Sequence, residues 1–250
     1  MIQLLICVCV SLATVTPQQS YQDGNAAMTA GDHQAAAAHF MEALSQGGHH
    51  PAVYHGLGNV LYRQGKYGEA VASYRRGLRL DPSDGDIAAN LERVRKQTTD
   101  LLDPPHHATG PFFWSGWMSE RSSGLVGSWV LCFGLAALVV RRWRREQRVI
   151  AWVARVGLLV GGLLLLSTWV SVHQLKTVVV TASQISANSA LGPDGVALFA
   201  LHAGAEVDLL ERSIDEQYAL IALPDGRKGW VDAVGLISTD PNEPFESVAR

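Results

Sequence analysis

Residues 51–84 read PAVYHGLGNVLYRQGKYGEAVASYRRGLRLDPSD, and this stretch indicates the architecture of the N-terminal part of the chain. Apolar residues recur in it at helical spacing, in two runs that Gly65 separates. Small residues at Gly58 and Gly77 permit close contact between two helices. Because Gly65 permits a tight turn and Pro82 cannot continue a helix, the stretch predicts a pair of helices joined by a short turn.

The same marks recur more weakly one repeat earlier in the chain. Gly24 stands 34 residues before Gly58, and Phe40 stands 34 residues before an aromatic residue of the second repeat. A further stretch, 85–100, carries the apolar stripe of an additional helix that follows the two repeats. The 34-residue unit resembles the tetratricopeptide repeat. The resemblance implies an α-helical array over 18–100, with two repeats and a capping helix.

Arrays of this type bind partners in an inner groove that the first helix of each repeat lines. By repeat register, the groove positions are Tyr21, Asn25, Met28, His55, Asn59, Tyr62, Arg63, Asn90 and Arg93. Asparagine and arginine side chains can hold an extended peptide backbone or a carboxylate. The alternative is an ordinary solvated face. Only Asn25 fits the pattern of the repeats that clamp a C-terminal carboxylate, so a chaperone tail is not the expected ligand.

Two long apolar runs, 122–140 and 149–172, occupy the middle of the chain. The first has 19 residues without a charge. A helix of that length covers about 28 Å, close to the hydrocarbon thickness of a bilayer. No soluble part of the chain is large enough to surround two such helices as a buried core. We therefore expect two transmembrane helices.

Arginine is concentrated in the short segment 141–148 between these runs, at Arg141, Arg142, Arg144, Arg145 and Arg148. Cytoplasmic loops carry an excess of Lys and Arg, so this loop is expected in the cytoplasm and both flanking domains outside. Arg155 lies inside the second run and is expected to snorkel to the cytoplasmic face. A role on an ion path is the alternative, and neither span offers an acidic partner for it.

Aromatic residues and glycines support the membrane interpretation. Tryptophans flank both runs, as interfacial belts do, and the linker over 101–121 contributes Trp114 and Trp117. In the second run Gly157 and Gly161 form a GxxxG pair, which lets two helix backbones approach closely. The pair could pack the two helices of this chain together or contact another membrane protein.

Residues 1–16 have a short apolar core and a small-x-small sequence at 11–13, so we expect a signal peptide that exports the N-terminal domain. The segment lacks the usual Lys or Arg at its start. Cys7, Cys9 and Cys132 all fall in apolar runs. A disulfide scaffold, thiolate catalysis and a cysteine-based zinc site are therefore not expected.

Residues 177–238 change to short β-branched runs separated by turn signals, including Asp225-Gly226, which predicts a small all-β domain. The strand order and the endings LHAGAEVDLLE and LPDGRKGWV resemble a bacterial SH3 domain, an SH3-like barrel. Trp230 is expected to pack this barrel, with ligand binding as the alternative. Residues 239–250 are polar, and a disordered tail is expected there.

Composition and motifs exclude several function classes. The chain has 20 basic and 23 acidic residues, a net charge of −3, and no strongly basic soluble part, so nucleic acid is not an expected partner. No nucleophile, P-loop, dinucleotide or metalloprotease motif is present. The histidine pairs at 49–50 and 106–107 lie in loops without a third ligand. We expect neither a catalytic site nor a cofactor nor a metal site.

The order of parts is leader, tetratricopeptide repeats, membrane hairpin and SH3-like domain. This order resembles the BatE-like proteins of the Bacteroides aerotolerance operon, with the best local matches at 53–100 and 198–231. The resemblance implies a two-pass protein of the bacterial inner membrane with periplasmic domains. It also implies membrane partners with von Willebrand factor A domains and a MoxR-type AAA+ ATPase.

Three functions remain from the sequence. The first is a non-enzymatic scaffold for protein partners in an aerotolerance or envelope stress complex. The second is a cell-wall sensor or anchor that binds peptidoglycan through the SH3-like domain. The third, which the missing motifs disfavour, is an envelope enzyme.

Overall fold

The computed structural model describes residues 16–100, 102, 118–143, 148–173, 176–192 and 195–245. The predicted signal peptide, apart from Thr16, and most of the linker 101–121 lie outside the described residues, as do residues 144–147 of the Arg-rich loop. The helices are α1 (Pro17–Thr29), α2 (His33–Ser45), α3 (Pro51–Arg63), α4 (Tyr67–Leu80), α5 (Gly85–Arg95), α6 (Glu120–Trp143) and α7 (Arg148–His173).

Helices α1–α4 form two helical hairpins whose packing repeats after 34 residues. A Cβ atom on Gly58 would lie 2.5 Å from the ring of Tyr74, and a Cβ atom on Gly24 would lie 2.8 Å from the ring of Phe40. Each ring is buried against the backbone of the preceding helix, which only glycine permits at this distance. The register that the sequence predicted for the two repeats is therefore present in the fold.

Helix α5 closes the array. Its apolar stripe of Ile87, Leu91 and Val94 is buried in the same core as α2, α3 and α4. Asp84 caps this helix, because its side chain accepts hydrogen bonds from the backbone N–H groups of Asp86 and Ile87. The array can thus end without exposing the apolar surface of α4.

Helices α6 and α7 run antiparallel and pack through small residues. A Cβ atom on Gly127 would lie 2.9 Å from Cβ of Leu164, and one on Gly134 would lie 3.0 Å from the backbone nitrogen of Leu158. Ser123 and Thr168 hydrogen-bond across the pair at 3.2 Å. Both helices are long and apolar enough to cross a membrane. Large apolar side chains are exposed on their outer faces, including Trp129, Phe133 and Leu159.

The C-terminal part is a seven-stranded antiparallel sheet in the order β3-β2-β6-β5-β4-β1-β7. The strands are β1 (Lys176–Val180), β2 (Gln184–Asn188), β3 (Ala197–His202), β4 (Glu206–Arg212), β5 (Tyr218–Ala222), β6 (Lys228–Asp232) and β7 (Leu236–Ser238). All seven contribute side chains to one buried core, so the sheet curls around it. Gly226, with φ at 87°, makes the turn between β5 and β6 that the sequence predicted.

The sheet packs directly against the helical array. Val179 of β1 and Ile237 of β7 belong to the buried core of the array rather than to that of the sheet. Gly68 of α4 allows this approach, because a Cβ atom there would lie 2.4 Å from the carbonyl oxygen of Val180. The two parts that the sequence presents as separate domains therefore share one interface, although the α6–α7 hairpin separates them in the chain.

Residues 239–245 form a strap that continues β7 across α3 and α4, which differs from the disordered tail expected there. Arg76 of α4 is fully buried and donates hydrogen bonds to the carbonyl oxygens of Ser238, Glu243 and Pro244 at 2.9, 2.8 and 3.0 Å. Its guanidinium lies 4.9 Å from the ring centroid of Phe245. A polar sequence is ordered here because its backbone carbonyls satisfy a buried cation. Residues 246–250 lie outside the described part of the chain.

Candidate functional site

Four of the predicted groove residues form one hydrogen-bonded cluster, which we call the inner polar row: His55, Asn59, Asn90 and Arg93. The side-chain nitrogen of Asn90 donates to Oδ1 of Asn59 at 3.1 Å and to Nε2 of His55 at 2.8 Å. Arg93 donates to Oδ1 of Asn90 at 2.9 Å. Residues four apart on α3 and three apart on α5 share a helix face, which is why these side chains meet.

Tyr74 of α4 supports the row from beneath. Its hydroxyl donates to Oδ1 of Asn59 at 2.8 Å, and its ring lies 6.2 Å from the ring of His55. Burial raises the pKa of Tyr74, while the charge of Arg93 opposes that shift. The hydroxyl therefore stays protonated and fixes the amide of Asn59. The repeat pattern predicts only an aromatic packing residue at this position, and it does not indicate this hydrogen bond.

The structure shows no side-chain hydrogen bond between the row and the other predicted groove residues, all of which lie among the described residues. Tyr62 packs against the ring of Tyr67 at 5.9 Å, and Tyr21 packs against Phe40 at 6.0 Å. Asn25 is half-buried on α1, and Arg63 is exposed at the end of α3. Met28 packs against the helical core.

The chemistry that this surface offers to a partner is hydrogen bonding. The row offers amide groups, an imidazole and a guanidinium, and its own members contain no carboxylate. Its residues are half-buried or exposed, so a ligand can reach them. Amide side chains match the donors and acceptors of an extended peptide, and Arg93 and Arg63 can attract a carboxylate.

A second polar cluster joins the array to the sheet. Glu206 of β4 is only 5% exposed, and two arginines of the array converge on it. Nε of Arg75 lies 2.5 Å from Oε2 of Glu206, and Nη2 and Nε of Arg95 lie 2.6 and 2.8 Å from Oε1. Sequence analysis predicts no role for these three residues, because ordinary surface charges on helices and strands have the same spacing.

The electrostatics of this cluster follow from burial and pairing. Burial lowers the pKa of Arg75, and the charge of Glu206 offsets part of that shift. Burial also acts on Arg95, but the charges of Glu206 and Glu92 outweigh it and raise the pKa of Arg95. Both groups remain cations at neutral pH, since an arginine does not lose its proton in proteins. The pairing therefore persists over the physiological range.

Trp230 lies on β6 between Gly229 and Val231, which are buried. Since neighbouring residues on a strand face opposite sides, the indole is on the outer side of the sheet and is half-buried. Leu220 and Asn188 stand opposite it on the two adjacent strands. The side chain is not part of the buried core of the sheet, although the sequence predicts that it packs the barrel.

Gly157 and Gly161 face α6. A Cβ atom on Gly157 would lie 3.1 Å from Cα of Gly134, and one on Gly161 would lie 2.7 Å from the backbone nitrogen of Leu131. Of the two uses that the sequence left open for this pair, the structure places both glycines in the packing of the hairpin itself.

Metal-binding clusters of three or more His, Cys, Asp or Glu side chains are absent from the part of the chain that the structure describes. His49 lies beside Tyr54, with its Nδ1 2.9 Å from the tyrosine hydroxyl. The pair at 106–107 lies outside the described residues.

Comparison with known proteins identifies one part of the chain. Residues 21–85 match the family model of the tetratricopeptide repeat, a region that runs from α1 to the start of α5. The paired helices of the array are therefore tetratricopeptide repeats, a class of module that mediates protein–protein interaction. No curated protein and no solved structure matches the chain at a significant level.

Proposed function

We propose that the protein is a non-enzymatic, membrane-anchored scaffold whose tetratricopeptide groove binds an extended segment of a partner protein. The observation that carries this proposal is the inner polar row, a set of half-buried or exposed hydrogen-bonding groups on a repeat type that serves protein interaction. The role requires no cofactor.

The anchoring part of the proposal assigns α6 and α7 to the bacterial inner membrane as a two-pass hairpin. Their length, their apolar outer faces and their packing through small residues support it. The array and the sheet pack on each other, and a hairpin of two spans returns the chain to the side from which it came. The Arg-rich loop over 141–148 favours the cytoplasm for the loop and the periplasm for both domains.

The partners that we propose follow from the resemblance to BatE-like proteins. They are membrane proteins with von Willebrand factor A domains and a MoxR-type AAA+ ATPase, in an aerotolerance or envelope stress complex. On the proposed topology only the Arg-rich loop can contact a cytoplasmic ATPase, and the groove and the SH3-like sheet contact periplasmic segments.

Cross-linking and mass spectrometry test the scaffold. We expect full-length protein in membranes to give cross-links between its groove and one or a few membrane proteins. Arg93→Glu reverses a charge of the row and should remove most of these cross-links. Lys66→Glu, at an exposed cation in the turn between α3 and α4, should leave them unchanged. Equal yields from the two variants would argue against the groove as the binding site.

A second candidate is binding to peptidoglycan through the sheet. The half-buried, outward-facing indole of Trp230 favours it, because flat aromatic surfaces stack on sugar rings. Sedimentation of the full-length protein with purified sacculi, lost in Trp230→Ala and kept in Arg93→Glu, would support this function. No sedimentation of the unmodified protein would exclude it.

A further inference from the structure

Helix α7 carries a basic and aromatic band on the side that faces away from α6. Arg148, Trp152 and Arg155 are spaced by four and three residues, so they share one helix face. All three are exposed, with the indole of Trp152 at 65%. Ala151, at the edge of this face, and Ala154, which points to a different side of the helix, are both buried in the hairpin. The band therefore faces whatever surrounds the hairpin.

Arg155 lies deeper than an interfacial cation usually does. It is seven residues after Arg148, a distance of about 10 Å along the helix axis. Helical side chains lean toward the N-terminus of their helix. In agreement, the guanidinium of Arg155 lies over the ring of Trp152, 5.9 Å from its centroid. The cation is thus directed back toward Arg148 and the headgroup region of the adjacent leaflet.

These cations lack a partner of opposite charge within the described hairpin. Between residues 121 and 173 the sequence has one acidic residue, Glu146, which lies in the loop outside the described residues. A guanidinium near hydrocarbon is unfavourable unless it meets water or an anion. The anions available at that depth on a lipid-facing surface are the phosphates of phospholipids.

We propose that Arg148, Trp152 and Arg155 form a binding site for the phosphate headgroup of an anionic phospholipid in the leaflet next to the α6–α7 loop. The guanidinium of Arg148 contacts the headgroup from the loop side and that of Arg155 from the hydrocarbon side. Trp152 lies at the level of the ester groups. The exposed side chain of Leu159, one turn deeper, contacts an acyl chain. This inference rests on the proposed membrane insertion of α6 and α7.

Native mass spectrometry of the full-length protein in detergent tests the site, with dioleoylphosphatidylglycerol and dioleoylphosphatidylcholine as probes. We expect phosphatidylglycerol to bind more tightly than phosphatidylcholine, and Arg155→Gln and Arg148→Gln each to weaken that binding at least about fivefold. Arg155→Lys should retain most of it, since the charge remains. Arg121→Gln, at an exposed arginine of α6 near the other end of the hairpin, is the matched control and should bind like the unmodified protein.

Three results would overturn the inference. One is equal binding of the two lipids by the unmodified protein. Another is unchanged phosphatidylglycerol binding in Arg155→Gln. The third is loss of a co-purified membrane protein from that variant while the lipid stays bound. This result would mean that the band binds an acidic residue of a partner helix. Extraction of membranes with alkaline carbonate separates the two proposals: release of the protein would refute membrane insertion itself, whereas retention without lipid preference would refute only the lipid site.

Discussion

Glu206 couples the array and the sheet electrostatically. Its carboxylate accepts from Arg75 and Arg95 and is nearly inaccessible to water. Removing one member of a buried ion pair leaves its partners charged and desolvated. We predict that Glu206→Gln lowers the free energy of unfolding by about 3 kcal/mol, measured by chemical denaturation of the full-length protein in detergent.

Glu211 provides the control for this measurement, because it lies on the same strand and is exposed. The variant Glu211→Gln should change stability by less than about 0.5 kcal/mol. Equal effects of the two substitutions would mean that Glu206 does not hold the junction together.

The limits of sequence interpretation are clearest at single residues. His55, Asn59, Asn90 and Arg93 could be placed together because repeat register alone assigns them to one surface. The role of Arg76 could not be predicted, because its hydrogen bonds go to backbone carbonyls more than 160 positions away in the chain. Every residue has a backbone carbonyl, so the side-chain sequence does not indicate which ones Arg76 contacts. For the same reason, the polar sequence over 239–250 predicts a disordered tail, whereas the structure has an ordered strap over 239–245.

The packing of α6 on α7 depends on which glycines face the partner helix. Gly161 and Gly162 are neighbours, but a Cβ atom on Gly161 would meet the backbone of Leu131, whereas one on Gly162 meets nothing within 4 Å. We predict that Gly161→Leu destabilises the hairpin by about 1–3 kcal/mol through overpacking. Gly162→Leu should be neutral or slightly stabilising, because leucine favours helix. Unfolding in mixed detergent micelles measures both.

Whole elements were more predictable than their docking. The 34-residue period located α1–α4, the apolar stripe located α5, and apolar length located α6 and α7, since these signals are local in the chain. The sheet was expected from β-branched runs and turn residues. That α4 would present Gly68 to Val180 was not predictable, because an interface between distant segments leaves no period in either of them.

Together, the array and the sheet form one packed unit, and we expect them to unfold as one. Removing the sheet would expose the core beside Val179 and Ile237 and leave the buried Arg76 without its carbonyl partners. We predict that residues 16–100 alone melt at least about 10 °C below the same residues joined by a flexible linker to 176–245. Circular dichroism measures both midpoints. Equal midpoints would show that the repeats do not need the sheet. The joined protein carrying Glu206→Gln should have a midpoint between those of residues 16–100 alone and of the unmodified joined protein.

On the proposed membrane insertion of α6 and α7, this docking also constrains the topology of the chain. Thr99 is exposed before the hairpin in the sequence, and Asn242 is exposed after it. Because the array and the sheet share an interface, both residues must lie on the same side of the bilayer. Single cysteines at these two positions and at Gln147, in a chain without its own cysteines, can be labelled with a membrane-impermeant maleimide in intact cells. We predict labelling at Thr99→Cys and Asn242→Cys and protection at Gln147→Cys. Labelling of only one of the first two variants would contradict the docked unit. Labelling of Gln147→Cys alone would indicate the opposite orientation in the membrane and would be consistent with the docked unit.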